Sequence, residues 1–233
     1  MDHEKPIIYV KNVRKVYRMG DEEVVALKRI NLRIYKGEVC CIFGTSGSGK
    51  STLLNQLAGM EKPTKGQVFI RGKNISDMNE EELAAFRQEH MSFIFQSYNL
   101  LPSMTAVENV AMPLMFKGMD RKKREAMAEE MLKRVGLSHR LHHYPSQMSG
   151  GQQQRAGIAR AFVSRPEVVF ADEPTGNLDT KTTAEIMDMD MGFARRFNQT
   201  IILVTHDPGM SRYADRIVTL VDGIITGDER KGQ

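Results

Sequence analysis

The sequence predicts an α/β fold that begins with an antiparallel β-sheet and contains an inserted block of helices. Residues 7–17 and 24–35 alternate apolar and polar side chains, which is typical of half-buried strands. Short apolar runs elsewhere end in loops that lead into helical patterns. Between about residues 97 and 165 the periodicity is mainly helical. These three observations favour a mixed architecture over an all-α or all-β one.

The first half of the chain contains a strand, a loop and a helix in succession. The run GEVCCIF predicts a short strand, and GTSGSGKSTLLNQLAG leads into a helix that ends at Gly59. A turn at residues 63–66 is followed by a predicted strand over 67–75. Asn79 and Glu82 have the spacing of a capping box, so another helix is expected to start there. The run MSFIF then predicts a further buried strand.

The second half begins with helices and returns to alternating strands and helices. Thr105 and Glu108 form a second capping-box pattern. VVFAD and TIILV predict strands that flank a helix over about 180–197, and RIVTLVDGIITGDE predicts a hairpin turning at Asp222-Gly223. The segment MDMDM alternates like a strand, but apolar residues around it line one helical face: Ile186, Met189, Phe193, Ala194 and Phe197.

Composition limits the classes of protein that the chain can belong to. Of its 233 residues, 41% are hydrophobic and 27% are charged, which are ordinary globular values and argue against disorder. No apolar run approaches the roughly 18 residues of a membrane span, and the polar start MDHEKP lacks a signal core, so a cytoplasmic chain is expected. The net charge of +4 decides nothing about partners. Adjacent Cys40 and Cys41 predict two buried apolar residues rather than a disulfide.

The strongest motif is GTSGSGKS at residues 44–51, which fits GxxxxGK(S/T) between a predicted strand and a predicted helix. In such a loop, backbone N–H groups and the helix N-terminus face phosphates, and glycines avoid a Cβ that would obstruct them. Lys50 is expected to neutralise phosphate charge, and the Ser51 hydroxyl to ligate Mg²⁺. The predicted phosphate-contacting residues are Gly44, Thr45, Ser46, Gly47, Ser48, Gly49, Lys50, Ser51 and Thr52.

Three more polar residues follow predicted strands. Asp172 suits a magnesium role, usually through water, and Glu173 is expected to orient or deprotonate an attacking water. His206 follows TIILVT and is expected at the same sheet edge, near a γ-phosphate. Taken alone, each of these residues could equally be an ordinary polar residue at the end of a strand, without a catalytic role. HRLHHY offers three histidines without further ligands and predicts a surface segment.

A second anion site is predicted at residues 149–152, SGGQ, which precede the helical run QQQRAGIARAF. The N–H groups there and the Ser149 side chain lie at a helix N-terminus. Two cradles in one compact chain do not easily reach the same γ-phosphate if the helical subdomain projects away from the first. Two chains arranged head to tail would bring one cradle from each chain to each nucleotide.

Together these motifs resemble the ATP-binding-cassette ATPases, and the resemblance covers essentially the whole chain. The residues that carry it are Tyr17, GTSGSGKST, Gln96, MSGGQQQR, VVFADEPTGNLD and His206, in the family's order and spacing. The resemblance implies a single domain with a P-loop NTPase core and ATP and Mg²⁺ as ligands. Residues 1–96 and 166–233 would form the nucleotide-binding core with its antiparallel β-subdomain, and residues 97–165 the helical subdomain.

The resemblance also implies roles for individual residues. Tyr17 would stack on adenine, Gln96 would sense Mg²⁺ and couple to a membrane partner, and Asp179 would reach across a homodimer that sandwiches ATP. The implied catalytic set is Glu173, His206, Gln96 and Lys50; the implied metal set is Ser51, Gln96 and Asp172. The signature residues that would contact the partner's nucleotide are Ser149, Gly150, Gly151 and Gln152.

Within the family, SFIFQSYNLLPSMTAVENVAMPL and ADEPTGNLDTKT look like the lipoprotein-releasing, macrolide-exporting and FtsE-type branch. That likeness implies a separate permease, contacted by the segment after Gln96, at the inner face of the cell membrane. The implied activity is export of a lipid-like, peptide or drug substrate. The alternative is that the same ATPase drives mechanical signalling across the membrane without transport. The sequence does not discriminate between the two.

A soluble chromosome or repair ATPase is a second alternative. Related proteins of that class insert a long coiled coil between the two glycine-rich motifs, and the interval from Lys50 to Ser149 leaves no room for one. Nucleic-acid binding is therefore not expected. Two departures from the family pattern are modest: Met148 replaces the usual leucine, and Gly157 interrupts the signature helix, at a cost of about 1 kcal/mol if nothing supports it.

Overall fold

The computed structural model describes residues 5–176 and 179–231, and they form two compact units. The first unit contains the described residues up to Arg87 and those from Thr200 onward; the second runs from Gln88 to Gln199. The second unit is larger than the helical subdomain predicted over 97–165, because it also includes two strands and a long helix. The predicted division at 96/97 and 165/166 remains a prediction.

The strands are β1 (Ile8–Met19), β2 (Glu22–Ile34), β3 (Val39–Phe43), β4 (Lys65–Ile70), β5 (Lys73–Asn74), β6 (Met91–Phe95), β7 (Val168–Asp172), β8 (Thr200–Thr205), β9 (Arg216–Val221) and β10 (Ile224–Arg230). The α-helices are α1 (Lys50–Leu57), α2 (Glu80–His90), α3 (Ala106–Phe116), α4 (Arg121–Arg134), α5 (Gly150–Val163) and α6 (Thr180–Phe197). Within the described parts of the chain, none of these helices is long and apolar enough to span a bilayer.

An antiparallel sheet in the order β2-β1-β4-β5 confirms the predicted N-terminal sheet. Strand β2 buries Leu27, Ile30, Leu32 and Ile34. The last three alternate along the strand, and a register irregularity separates them from Leu27. The prediction of one strand over 67–75 was wrong in detail, because Arg71 (φ 53°) and Gly72 (φ 77°) turn the chain between β4 and β5. The strand β4 also starts at Lys65, inside the predicted turn.

The other strands of the first unit lie in the order β10-β9-β3-β8. Strand β3 is parallel to both β8 and β9, and its residues Val39–Ile42 are buried, which explains why VCCIF is apolar throughout. Cys40 and Cys41 are buried free thiols as predicted, and burial raises the pKa of Cys41 to about 11. The β9–β10 hairpin turns at Asp222 (φ 45°) and Gly223 (φ 73°), also as predicted.

The second unit contains the parallel pair β6 and β7 and the helices α3 to α6. Helix α3 begins with the predicted capping box of Thr105 and Glu108. Helix α6 confirms that MDMDM is helical, since its apolar residues pack on one side against the core. There the Phe193 ring lies 5.3 Å from that of Phe162 in α5, measured between ring centroids.

One carboxyl group lies in the core of the second unit. Asp190 in α6 is only 2% exposed, and its Oδ1 has no hydrogen-bond partner among the described residues. Burial disfavours its charged form and raises its pKa well above the usual range. The folded chain therefore keeps a proton on Asp190 that the unfolded chain releases once the pH exceeds the ordinary aspartate pKa. This difference costs stability as the pH rises.

The variant Asp190→Asn should therefore be more stable than the wild-type chain, because an amide of the same shape cannot ionise. Thermal unfolding should show the melting temperature raised by several degrees at neutral pH, at about 2–4 °C per kcal/mol. The gain should grow with pH and vanish at acid pH. The matched control is Asp188→Asn, an exposed position on the same helix, where little change is expected. A gain that does not depend on pH would contradict the buried, protonated state of Asp190.

Candidate functional site

The loop between β3 and α1 folds back on itself to cross the end of the sheet. Two glycines make this possible, because Gly47 has φ 80° and Gly49 has φ 101°. Lys50 is only 6% exposed, and its Nζ donates to the carbonyl of Thr45 at 2.8 Å. The ammonium group is thus held across the loop instead of extending into solvent. This is the geometry expected of a cation that neutralises a phosphate bound in the loop.

Close backbone packing fixes the position of this loop. A Cβ added to Gly44 would lie 2.3 Å from the carbonyl oxygen of Leu220 in β9, and one added to Gly49 would lie 2.7 Å from that of Ala26 in β2. Real Cβ atoms do not approach backbone oxygens so closely. Glycine is therefore required at both ends of the loop for packing, in addition to any contact with a ligand.

The turn of the β9–β10 hairpin supports the loop from one side. The Gly223 N–H donates to the carbonyl of Ser48 at 2.9 Å, and the carbonyl of Gly223 accepts from the Lys28 N–H at 3.0 Å. A Cβ on Gly223 would lie 2.5 Å from the carbonyl oxygen of Ala26. The sequence predicted this turn but gave no sign that it contacts the loop, because the contact joins residues far apart in the chain.

The start of α1 fits a phosphate group. Within this described helix, no acidic side chain occupies the first turn, and Gly49 provides no side-chain cap. The positive end of the helix dipole and the first N–H groups are therefore not compensated by a neighbouring carboxylate. Ser51 is exposed at the first turn, where its hydroxyl can act as an oxygen ligand for a divalent cation. These features fit a nucleoside triphosphate with its Mg²⁺.

Tyr17 lies beside this helix. Its hydroxyl donates to Glu61 Oε2 at 2.7 Å, and the Thr52 side chain hydrogen-bonds to the same phenol. Lys15 Nζ lies 5.1 Å from the centroid of the Tyr17 ring. Burial raises the pKa of Tyr17, and the hydrogen bond to Glu61 raises it further. The ring is thus held in place next to the P-loop helix, and its contact with adenine remains a prediction.

Glu61 was not identified from the sequence, although it organises this cluster. Burial alone would raise its pKa, but hydrogen bonds from Tyr17, Lys15 and Asn55 outweigh that effect, so the pKa of Glu61 lies below its usual value. Its carboxylate is therefore ionised at neutral pH and accepts from all three donors. A glutamate in the loop after α1 carries no sequence pattern that would have indicated this role.

His206 leaves the sheet beside the P-loop. The parallel register pairs Phe43 with Thr205, and the next residues are Gly44 and His206 respectively. Since parallel strands end at the same edge, both residues lie at the carboxyl edge of the sheet, as the sequence indicated. The His206 side chain is exposed. Its contact with a γ-phosphate remains a prediction.

In the second unit, the strand pair β6–β7 brings Gln96 and the acidic residues together. The register pairs Phe95 with Asp172, so Gln96 and Glu173 are the next residues on neighbouring strands. Glu173 has φ 44°, a left-handed conformation that is uncommon for a residue with a Cβ. Its turn continues to Gly176, where a Cβ would lie 2.7 Å from Gln96 Nε2. The Gln96 side chain therefore packs against the turn that follows Glu173.

The second glycine-rich motif forms the start of α5. The Ser149 hydroxyl accepts from the Gln152 N–H at 3.3 Å, and Gln152 Oε1 accepts from the Ser149 N–H at 3.1 Å, which completes a capping box. Within the described α5, no acidic side chain occupies the first turn. A Cβ on Gly150 would lie 2.8 Å from the Tyr98 hydroxyl. This helix N-terminus has the polarity that an anion requires, and anion binding there remains a prediction.

Asp179 lies at the start of α6, next to the signature. Its carboxylate accepts from the Thr182 N–H at 3.0 Å and from the Thr182 hydroxyl at 2.6 Å. The Thr182 Cγ2 lies 3.1 Å from the place that a Cβ on Gly151 would take. Asn177 and Leu178 of the GNLD motif lie outside the described residues. The role of Asp179 across a dimer remains a prediction.

Buried polar residues hold the segment after Gln96, and the sequence did not single them out. Arg160 of α5 donates to the carbonyls of Tyr98 at 2.8 Å and Asn99 at 2.5 Å. Asn109 of α3 is fully buried and bonds to the backbone of residues 101–105. The available signal was a polar residue on an otherwise apolar helix face. Helix α5 also continues unbroken through Gly157.

The same segment and the end of α3 expose large apolar side chains. Leu101 is 40% exposed, Met115 39% and Phe116 61%. A cavity of about 240 Å³ lies nearby between α3 and α4, lined by Met104 and Met112 among others. Neighbouring exposed apolar side chains mark sites of protein contact more often than isolated ones do. We term the surface formed by Met115 and Phe116, which are adjacent at the end of α3, the α3 apolar surface.

Comparisons with known proteins agree with this geometry. The sequence profile of the family described as "ABC transporter" matches residues 27–176. An uncharacterized ABC transporter ATP-binding protein of Methanocaldococcus jannaschii is 48% identical over 219 residues, which cover 94% of this chain and 97% of that protein. The macrolide export ATP-binding/permease protein MacB of Shewanella sp. (strain ANA-3) is 47% identical over 97% of this chain, and the chain spans only 34% of its length.

A solved structure resembles this chain in both fold and sequence. The dimeric structure of the ATP-binding cassette MJ0796, described as a post-hydrolysis state bound to ADP and Pi, matches with a TM-score of 0.89 and 42% identity. The match covers 96% of this chain and 98% of that one. The chain therefore belongs to the ABC transporter family and carries that family's ATPase domain. The fold class and the family resemblance predicted from the motifs are both confirmed.

The variant Gly49→Ala should destabilise the chain more than Gly47→Ala. Both place a Cβ on a left-handed residue, which costs about 1–2 kcal/mol, but the space around Gly47 is open whereas a Cβ on Gly49 meets Ala26. Denaturant unfolding of the nucleotide-free chain measures the difference. Equal losses for the two variants would show that the contact between the loop and β2 is unimportant.

Proposed function

We propose that the chain is an ATP-hydrolysing subunit that dimerises head to tail on ATP and powers a separate membrane permease. The observation that carries this proposal is the presence of two glycine-rich helix N-termini in one chain, at Lys50 and at Gly150, each free of acidic side chains in its described first turn. A phosphate group suits both. A nucleotide held between two copies of the chain would contact the Lys50 helix N-terminus of one copy and the Gly150 helix N-terminus of the other.

The proposed nucleotide site of one copy uses residues of the first unit. The N–H groups of residues 44–52 and the ammonium of Lys50 would bind the phosphates, and the Tyr17 ring would stack on the adenine. His206, at the same sheet edge as the loop, would contact the γ-phosphate. The fixed position of Lys50 across the loop supports the first of these roles.

The hydrolytic chemistry would require Mg²⁺ and a group that activates water. Ser51, Gln96 and Asp172 would hold Mg²⁺, which would offset the charge of the phosphate oxygens. Glu173 would orient the attacking water and accept its proton, while Gln96 and His206 would help to orient that water. The pairing of Phe95 with Asp172 supports a shared role, because it sets Gln96 and Glu173 on neighbouring strands.

The dimer would be completed by the signature motif. Ser149, Gly150, Gly151 and Gln152 of one copy would bind the γ-phosphate held by the P-loop of the other, with Asp179 reaching across the interface. The dimeric form of the similar cassette MJ0796 supports this assembly. Closure on ATP and opening on phosphate release would give the motion that is transmitted to the membrane.

The permease would bind to the segment after Gln96. The α3 apolar surface supports this proposal, as do the MacB relatives, which are ATP-binding/permease proteins. The chain would then work on the cytoplasmic side of the cell membrane, and the exported substrate would be lipid-like, a peptide or a drug. Mechanical signalling by the same assembly is the alternative. Substrate flux into reconstituted vesicles distinguishes the two, and no nucleic acid is expected to take part.

The variant Glu173→Gln should lose ATPase activity while it keeps ATP binding. General-base catalysis contributes about 10²–10⁴-fold, and kcat should fall by that factor because the amide cannot accept a proton. Size-exclusion chromatography with ATP and Mg²⁺ should show this variant accumulating as a dimer. The control is Glu130→Gln, which removes only an exposed pair with Arg134. Full activity in Glu173→Gln would exclude the proposed mechanism.

Affinity purification of the Glu173→Gln chain from its native membrane, in detergent with ATP and Mg²⁺, should recover an integral-membrane permease. Adding Phe116→Asp should greatly reduce that recovery, since a buried carboxylate opposes docking of an apolar surface. The matched control is Met60→Asp, which alters a similarly exposed apolar residue elsewhere. Equal recovery in both variants would place the permease contact away from the α3 apolar surface, and recovery of only soluble or nucleic-acid-bound partners would contradict the transporter proposal.

A further inference from the structure

A glutamine of the signature helix bonds directly to the turn that carries Glu173. Gln154 is fully buried in α5, and its Nε2 donates to the carbonyl of Pro174 at 2.5 Å. Pro174 is the residue immediately after Glu173, and it is buried as well. A buried amide that bonds to one specific carbonyl fixes the orientation of that peptide group.

That turn has a conformation that the local sequence does not favour. Glu173 is left-handed at φ 44°, and the Gly176 N–H closes the turn on the Glu173 carbonyl at 3.1 Å. A strained residue of this kind persists only when its surroundings hold it. Before the turn, the pairing of Asp172 with Phe95 provides that support. After the turn, Gln154 provides it.

We propose that Gln154 is a positioning residue that holds the carboxylate of Glu173 in its catalytic orientation through the Pro174 carbonyl. The inference rests on the proposed role of Glu173 in ATP hydrolysis. Gln154 lies about one helical turn after Gly150, so the same rigid helix carries the signature motif and sets the Glu173 turn. Without the Gln154 donor, the turn relaxes toward a less strained φ and the carboxylate moves away from the water it orients.

The chain contains a matched control for this contact. Gln199 is 2% exposed, and its Nε2 also donates to a proline carbonyl, that of Pro166, at 2.6 Å. In both glutamines, the Oε1 atom has no hydrogen-bond partner within residues 5–176 and 179–231. The two glutamines therefore share burial, donor and acceptor type. They differ in that only Gln154 bonds next to Glu173.

The experiment compares the ATPase kinetics of four full-length chains: Gln154→Met, Gln199→Met, Glu173→Gln and wild type. All four are prepared in the same way, either alone or in the membrane complex. Methionine keeps the length of the side chain and removes the donor. Both glutamine variants should lose similar thermal stability. Of the two glutamine variants, only Gln154→Met should lower kcat, by about 10- to 100-fold, because displacing the Glu173 carboxylate by about 1 Å costs that much. The KM for ATP should stay close to the wild-type value.

The outcomes separate the inference from the function on which it rests. If the wild type hydrolyses no ATP, or Glu173→Gln keeps full activity, the proposed function itself is wrong. If Glu173→Gln is inactive and Gln154→Met has the kcat of Gln199→Met, only the positioning role of Gln154 is overturned. Should Gln154→Met fail to fold, Gln154→Glu retains the shape and lacks the donor when ionised. Its kcat should fall at alkaline pH, and wild-type kcat there would overturn the proposal.

Discussion

The loop between β3 and α1, residues 44–49, depends on backbone contacts that leave no room for a side chain. At Gly49 and Gly44 the loop packs against the carbonyls of Ala26 and Leu220, and the hairpin turn at Gly223 closes on the same region. These contacts decide where α1 begins and therefore where its first N–H groups point. Lys50 bridges the loop as a result, so the geometry that we propose for phosphate binding follows from packing within the chain itself.

In the second unit, buried side chains replace glycine packing as the means of fixing the backbone. Helix α5 carries the signature at its first turn, and its polar residues Gln154 and Arg160 bond to carbonyls of two separate loops. One loop contains Glu173 and the other follows Gln96. Because α5 bonds to both loops, a movement of the signature motif would be transmitted to Glu173 and to the segment proposed to contact the permease.

The sequence predicts the local features of this structure well. Capping boxes at Asn79 and Thr105 were readable because their partners lie three residues away. The Asp222-Gly223 turn was readable because its two residues are adjacent. The sequence did not predict the bonds of Gln154, Glu61 or Asn109, since each joins residues that only the folded chain brings together. Glutamine in a QQQ run carries no periodic signal, and the identity of its acceptor depends on tertiary packing.

The central claim is that each ATP is bound by the P-loop of one chain and the signature of another, and mixing two inactive variants tests it most directly. Lys50→Ala removes the P-loop cation. Gly151→Asp places at the start of α5 a carboxylate that favours the helix but repels phosphate. Each variant alone should be inactive, whereas their mixed dimer contains one wholly intact site and should recover ATPase activity. Mixed dimers that form and remain inactive would contradict the account.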